Sequence, residues 1–139
     1  MLHDPVRVAE VRAWLIKAAR DLQAAGLGLH TAPPLLEDVV FHSQQAVEKV
    51  MKGFLTWHDQ PFRKTHSLEE IGEQCIRINA GLRPCVDQAV PLTEYAWKFR
   101  YPGEYEPLTP EEAQETLVIA RTICDAIMQC LPDEVRPST

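Results

Sequence analysis

The chain has 139 residues, of which 45% are hydrophobic and 24% charged, and its formal net charge is −6. This composition is typical of one soluble globular domain, and no apolar run approaches the roughly 20 residues that cross a bilayer. The acidic balance excludes a broad cationic surface for nucleic acid, so any contact with an anion must be local. The N-terminus has no continuous apolar block like that of a secretory signal, and we therefore expect a cytoplasmic protein.

Two helices are predicted before residue 58. Asp4 reads as an N-cap with Pro5 in the first helical position, so the first helix should run from about 5 to 25 and end at the Gly26-Leu27-Gly28 segment. After Pro33-Pro34, a second helix is predicted over about 35 to 57. The helical period places six apolar residues on its core side: Val39, Val40, Val47, Val50, Met51 and Phe54.

The opposite side of the second helix carries a polar stripe. Its members are Asp38, His42, Gln45, Lys49 and Lys52, with Glu48 at its edge. One interpretation is a solvated face. The other is a binding site, because two lysines and a histidine along one line can hold a phosphate chain, and His42 can serve as a general base.

A third helix and a fourth helical stretch are predicted next. Ser67 and Glu70 form a capping box that opens a helix to about Asn79. Another helical stretch spans about 84 to 100, where Pro91 should break or kink it. Arg100 is then expected in its last turn.

The last helix is predicted to begin at Thr109-Pro110-Glu111-Glu112. This segment combines an N-cap residue, a proline in the first helical position and acidic residues that interact favourably with the helix dipole. The helix should run to about Cys130. Its predicted inward residues are Leu117, Ala120, Ile123, Cys124, Ile127 and Leu131. We therefore predict an all-α fold, an antiparallel up-and-down bundle of about five helices over residues 1–132, followed by a frayed polar tail over 133–139.

The four cysteines, Cys75, Cys85, Cys124 and Cys130, contain no CxxC pair and are expected to be small apolar core residues in a reducing compartment. No histidine pair has metal-ligand spacing. Phosphate-binding glycine loops and the HExxH and GxSxG motifs are absent from the sequence. We expect no metal and no cofactor.

The segment EYAWKFRYPGEY, residues 94–105, concentrates aromatic side chains around Arg100. Arg100 has two interpretations. Its charge can offset the negative end of a helix dipole. Alternatively, its planar fork can bind a phosphate, with Tyr95, Tyr101 or Tyr105 available to stack on a base or donate a hydroxyl group.

His66 lies beside Lys64 and Arg63, ahead of the predicted helix start at Ser67. A helix N-terminus favours anions, so this basic cluster is a further candidate for phosphate binding. The alternative is a local cap or a surface histidine. The remaining histidines, His3, His30 and His58, look like ordinary terminal or loop residues.

The order of these features resembles the HEPN domain family (higher eukaryotes and prokaryotes nucleotide-binding). The resemblance rests on ARDLQAA, then EDVVFHSQQAVEKVMKGFL, then the Thr65-His66-Ser67-Leu68 helix start, then PLTEYAWKFRYP, and it covers about residues 10 to 130. It implies a helical bundle, commonly a homodimer. Such a domain acts as the nucleotide-binding partner of a small nucleotidyltransferase or as a metal-independent ribonuclease in toxin–antitoxin systems.

The ribonuclease branch of that family has an arginine followed, after four to six residues, by a histidine. Here Arg100 supplies the arginine, but Tyr105, Glu106 and Pro107 occupy the three histidine positions, and no histidine follows anywhere. Tyrosine, with a pKa near 10, exchanges protons poorly at neutral pH. Catalysis by the family's usual pair is therefore not expected.

The leading hypothesis from the sequence is a non-catalytic, homodimeric HEPN module that binds an ATP- or GTP-like nucleotide or RNA and partners a separately encoded nucleotidyltransferase. The resemblance and the polar stripe assign its binding residues as Arg100, Tyr95, Tyr105, His42, Gln45, Lys49, Lys52 and His66. One alternative is a ribonuclease toxin that uses Arg100 with His42, His66 or Tyr105 as a non-standard group. Another is a purely structural dimerisation or adaptor domain.

Overall fold

The protein is described here by a computed structural model covering residues 3–137, a part of the chain that is helical and contains no β-strand. Its α-helices are α1 (Pro5–Leu29), α2 (Leu36–Trp57), α3 (Leu68–Ile78), α4 (Arg83–Ala89) and α5 (Pro110–Met128). Three short 3-10 segments, Ala80–Leu82, Val90–Ala96 and Asp133–Val135, complete it. The predicted all-α bundle of five helices is confirmed.

Helix α1 begins as predicted, with Pro5 in the first turn and the Asp4 carboxylate accepting from the Val6 N–H. It does not end at residue 25, however, but continues to Leu29. Gly28 serves close packing instead of termination: a Cβ on it would lie 2.9 Å from Cγ2 of Val39 in α2. The glycine therefore lets α1 and α2 approach each other closely.

The paired helices α1 and α2, with α5 packed against both, form the centre of the bundle. All six residues predicted for the core side of α2 are buried: Val39, Val40, Val47, Val50, Met51 and Phe54. The inward residues predicted for α5, and Leu131 just after it, are buried as well. Helical periodicity thus identified the core correctly, because each helix buries one continuous stripe.

The N-cap of α3 is simpler than predicted. The Ser67 hydroxyl accepts from the Glu70 N–H, but the Glu70 carboxylate does not complete a capping box. That carboxylate instead accepts hydrogen bonds from Arg63, and the Ser67 N–H donates to Oγ1 of Thr65. The charge-assisted hydrogen bonds from Arg63 are stronger than a bond to the backbone N–H of Ser67, so the Glu70 carboxylate pairs with Arg63.

Pro91 breaks the fourth helical stretch, as predicted. Helix α4 ends at Ala89, and a 3-10 segment carries the chain only to Ala96. Because proline lacks an N–H, the α-helical hydrogen-bond ladder stops there. Arg100 therefore does not lie in the last turn of a helix, and the interpretation that its charge offsets a helix dipole is wrong.

Helix α5 opens with the full predicted capping box between Thr109 and Glu112. The segment after it is not frayed as expected, because Val135 is fully buried in the core and Arg136 donates to the carbonyl of Leu131. Val135 is a single apolar residue in a polar segment, so composition alone did not predict its burial. Residues 138 and 139 of the predicted tail lie outside the described part of the chain.

The cysteines are all free thiols, but their surroundings differ. Cys75 and Cys124 are buried, as predicted, whereas Cys85 is partly exposed and Cys130 is exposed. The core assignment of Cys130 is wrong, since its side chain is exposed. Within residues 3–137, no three His, Cys, Asp or Glu side chains gather as a metal site requires. No helix in that range is long and apolar enough to cross a membrane.

Candidate functional site

Asp21 of α1 collects two of the predicted site residues of α2. Its carboxylate lies with Oδ1 2.8 Å from Nδ1 of His42 and Oδ2 2.5 Å from Nζ of Lys49. Asp21 is only 8% exposed. We call Asp21, His42 and Lys49 the Asp21 cluster. The sequence held one signal for it, since Asp21 lies at helical spacing between the fully buried Ala18 and Ala25.

The hydrogen bond to Asp21 orients the His42 ring. A carboxylate only accepts, so Nδ1 of His42 donates to it, and Nε2 of the neutral ring is left as an acceptor. The side chain is partly exposed. Nε2 of His42 can therefore accept a hydrogen bond from a ligand.

A second cluster surrounds Glu48, which is 4% exposed. Its carboxylate accepts from Nζ of Lys52 at 3.0 Å and lies 2.8 Å from Nδ1 of His66. Gln44 donates to it at 3.2 Å, and Gln45 donates to the Gln44 side chain at 2.7 Å. These five residues form the Glu48 cluster.

The Glu48 cluster connects α2 to the loop that precedes α3. Gln44 also donates to the backbone carbonyl of His66, and Nζ of Lys52 lies 5.8 Å from the Trp14 ring centroid and 5.7 Å from that of Phe62. The interpretation of the stripe as a solvated face is therefore wrong over this part. Lys52 is only 8% exposed and donates to Glu48, so little of it is accessible to a ligand.

Two members of the basic cluster predicted before α3 are paired with carboxylates. Both guanidinium contacts of Arg63 go to Glu70, and these hydrogen bonds lower the pKa of Glu70. His66 is directed to Glu48 instead of to the helix N-terminus. Lys64 is left exposed by itself.

Arg100 lies on the face of Phe41 in α2. Its guanidinium carbon is 4.0 Å from the ring centroid, and its side chain is 46% exposed. Within residues 3–137 the only carboxylate within reach is Asp38, at 4.0 Å from Oδ1 to NH1, which is beyond hydrogen-bond distance. We call Asp38, Phe41 and Arg100 the Arg100 platform. The guanidinium N–H groups of Arg100 therefore remain available to donate to a ligand.

Phe41 connects the Arg100 platform to the Asp21 cluster. The rings of Phe41 and His42 meet edge to face with their centroids 5.2 Å apart. Arg100 and His42, which are far apart in sequence, therefore contact the same ring. Sequence reasoning missed Phe41, although its position three residues after Asp38 and four before Gln45 places it on the polar stripe.

The predicted tyrosines belong to a separate aromatic set centred on Phe99. Tyr95 stacks on Phe99 with centroids 6.1 Å apart, and Tyr105 meets it edge to face at 5.4 Å. Tyr95 also packs against the core. A Cβ on Gly103 would lie 2.9 Å from the Tyr105 ring, so this glycine lets the ring fold back. Tyr105 remains partly accessible, and Trp97 and Tyr101 are exposed.

The family model for the HEPN domain matches residues 11–131, a range that includes the Asp21 cluster, the Glu48 cluster and the Arg100 platform. No curated protein and no solved structure matched the chain.

Proposed function

This chain belongs to the HEPN family, and from that premise we propose that it is a non-catalytic nucleotide-binding module whose Arg100 takes the ligand phosphate. Membership of the family implies a nucleotide-binding or ribonuclease-type module. Which of the two it is depends on the groups beside the arginine.

The observation that carries the proposal is the position of Arg100 on Phe41. The face of Phe41 stabilises the guanidinium by a cation–π contact. The guanidinium N–H groups remain free to donate to two oxygens of a phosphate. Two lysines of the neighbouring segments already have carboxylate partners: Lys49 donates to Asp21, and Lys98 donates to Glu94 at 3.2 Å.

The proposal of a non-catalytic module rests on the missing histidine. Tyr105 occupies the first of the three histidine positions after Arg100, and its ring packs on Phe99. A phenol with a pKa near 10 is a poor base at neutral pH. Tyr105, and Tyr101 in the same loop, supply rings for a base or ribose instead.

The proposal extends to the partners. We propose that the module acts as a homodimer in the cytoplasm, with a separately encoded nucleotidyltransferase, in a toxin–antitoxin-like or related two-component system. The support for this is the resemblance to family members that work in such pairs. Size-exclusion chromatography with light scattering, with and without the nucleotidyltransferase of a neighbouring gene, tests both associations.

Calorimetric titration of ATP, GTP and a short single-stranded RNA into the wild type, Arg100→Ala and Arg12→Ala tests the binding site. Arg12 is an exposed arginine of α1 and serves as the matched control. We expect Arg100→Ala to lose at least tenfold in affinity, as removal of a charged hydrogen-bond donor of about 1.5–3 kcal/mol implies, while Arg12→Ala binds normally. Equal binding by all three proteins contradicts the proposal. Absence of any binding favours the adaptor function.

A second candidate function is ribonuclease activity, and the Asp21–His42 hydrogen bond is the observation that favours it. His42 is oriented by a buried carboxylate and shares Phe41 with Arg100, so it is placed to replace the missing histidine as general base. In such a reaction His42 removes the proton of the ribose 2′-hydroxyl group. The resulting oxyanion attacks phosphorus, and the 5′-oxygen leaves with a proton from water.

An RNA-cleavage assay separates the two functions. If the protein is a ribonuclease, His42→Ala and Arg100→Ala abolish cleavage, Asp21→Asn reduces it, and His66→Ala, in the Glu48 cluster, leaves it intact. A wild type that binds RNA through Arg100 without cleaving it supports the non-catalytic module. Cleavage that needs Arg100 and His42 replaces the first proposal by the second.

A further inference from the structure

The Arg100 platform has almost no net positive charge, because Asp38 stands beside the arginine. We propose that Asp38 is a specificity residue, which makes this site prefer a singly charged phosphodiester to a polyphosphate chain. This inference rests on the proposed function, since it requires that Arg100 binds phosphate.

The charges around Arg100 support this selectivity. Arg100 and Asp38 are both about half exposed, with 4.0 Å between NH1 and Oδ1. The lysines of the neighbouring segments, Lys49 and Lys98, are held by Asp21 and Glu94. A free nucleoside triphosphate, with about four negative charges, therefore meets one arginine whose charge is nearly offset by Asp38.

A phosphodiester fits the same site better. Asp38 lies outside hydrogen-bond distance of the guanidinium, so it repels an anion but does not accept the hydrogen bonds of Arg100. A single phosphate group with one negative charge can accept hydrogen bonds from two N–H groups of the guanidinium. Asp38 repels such a group only weakly, because the repulsion grows with the charge of the ligand. Trp97 and Tyr101, the exposed aromatic residues on either side of Arg100 in sequence, offer stacking faces for the two bases that a phosphodiester joins.

Titrations of two probes test the inference: the dinucleoside monophosphate ApA and ATP, both without divalent cations and at low salt. The proteins are the wild type, Asp38→Asn and the matched control Glu37→Gln, which removes an acid from the same helical turn. We expect the wild type to bind ApA more tightly than ATP. Asp38→Asn should strengthen ATP binding about tenfold and ApA binding about twofold, and Glu37→Gln should have a clearly smaller effect on ATP.

The outcomes distinguish this inference from the proposed function. If the wild type prefers ATP, or if Asp38→Asn changes both affinities by the same factor or weakens ATP binding, Asp38 does not select against charge. Binding that is still lost in Arg100→Ala then leaves the proposed function intact. If no variant binds either probe, the proposed function fails and the inference fails with it. Circular dichroism and melting temperature confirm that Asp38→Asn, a half-exposed isosteric change, remains folded.

Discussion

The guanidinium of Arg100 lies over the Phe41 ring, 4.0 Å from its centroid, and so joins the loop after the Val90–Ala96 segment to the polar side of α2. This contact fixes where the arginine presents its donors. It also brings Arg100 to the ring that borders His42. Any ligand held by Arg100 is therefore held against α2.

Phe41→Leu should weaken ligand binding by about two- to fivefold, because it removes a cation–π contact of roughly 0.5–1 kcal/mol and leaves Arg100 less ordered. Calorimetry with the tightest ligand of the wild type measures the change. Phe62→Leu, which removes a ring near Lys52 in the other cluster, is the control and should bind normally. Unchanged affinity in Phe41→Leu shows that the ring does not position Arg100.

Glu48→Gln should lower the free energy of unfolding by about 3 kcal/mol, because it leaves the buried ammonium group of Lys52 without a counter-charge. The matched control is Glu94→Gln, which breaks the more exposed pair with Lys98 and should cost less than about 1 kcal/mol. Urea denaturation measures both. Equal costs imply that water reaches the Glu48 cluster freely.

Gly72→Ala should destabilise the protein by roughly 1–3 kcal/mol, since a Cβ at this position would lie 2.4 Å from Cγ1 of Val86. Gly26→Ala is the contrasting variant, because its Cβ would meet only the flexible end of Arg121 at 2.9 Å. There the better helix propensity of alanine should leave stability unchanged or raised by up to about 1 kcal/mol. Val86→Ala in the Gly72→Ala background should recover part of the loss if the overlap is its cause.

Thiol reagents should modify Cys130 first and leave Cys75 and Cys124 unmodified until the protein unfolds. Burial raises the pKa of Cys75 to about 12 and also raises that of Cys124, so neither forms thiolate near neutral pH. Labelling at pH 8 followed by mass spectrometry of peptides gives the order. Cys130→Ser should remove the fast phase, and rapid labelling of Cys75 in native buffer shows that the core opens.

Local signals in the sequence determined most of the helical architecture. Asp4 and Thr109 mark helix starts, Pro91 marks a break, and the apolar stripe of α2 marks its core side, because caps, proline and helical period act within a few neighbouring residues. The length of α1 was misjudged, since the role of Gly28 depends on Val39 across the helix interface.

The sequence alone also supplied the family, the candidate status of Arg100 and the membership of the polar stripe. The sequence could not show that the stripe residues belong to two separate clusters, since this depends on which residues pack opposite each of them. Asp21 arrives from α1 and binds His42 and Lys49, while Glu48 turns toward Lys52 and His66. Only the tertiary structure places Arg100 on Phe41, because a loop residue is positioned by contacts with a helix distant in sequence.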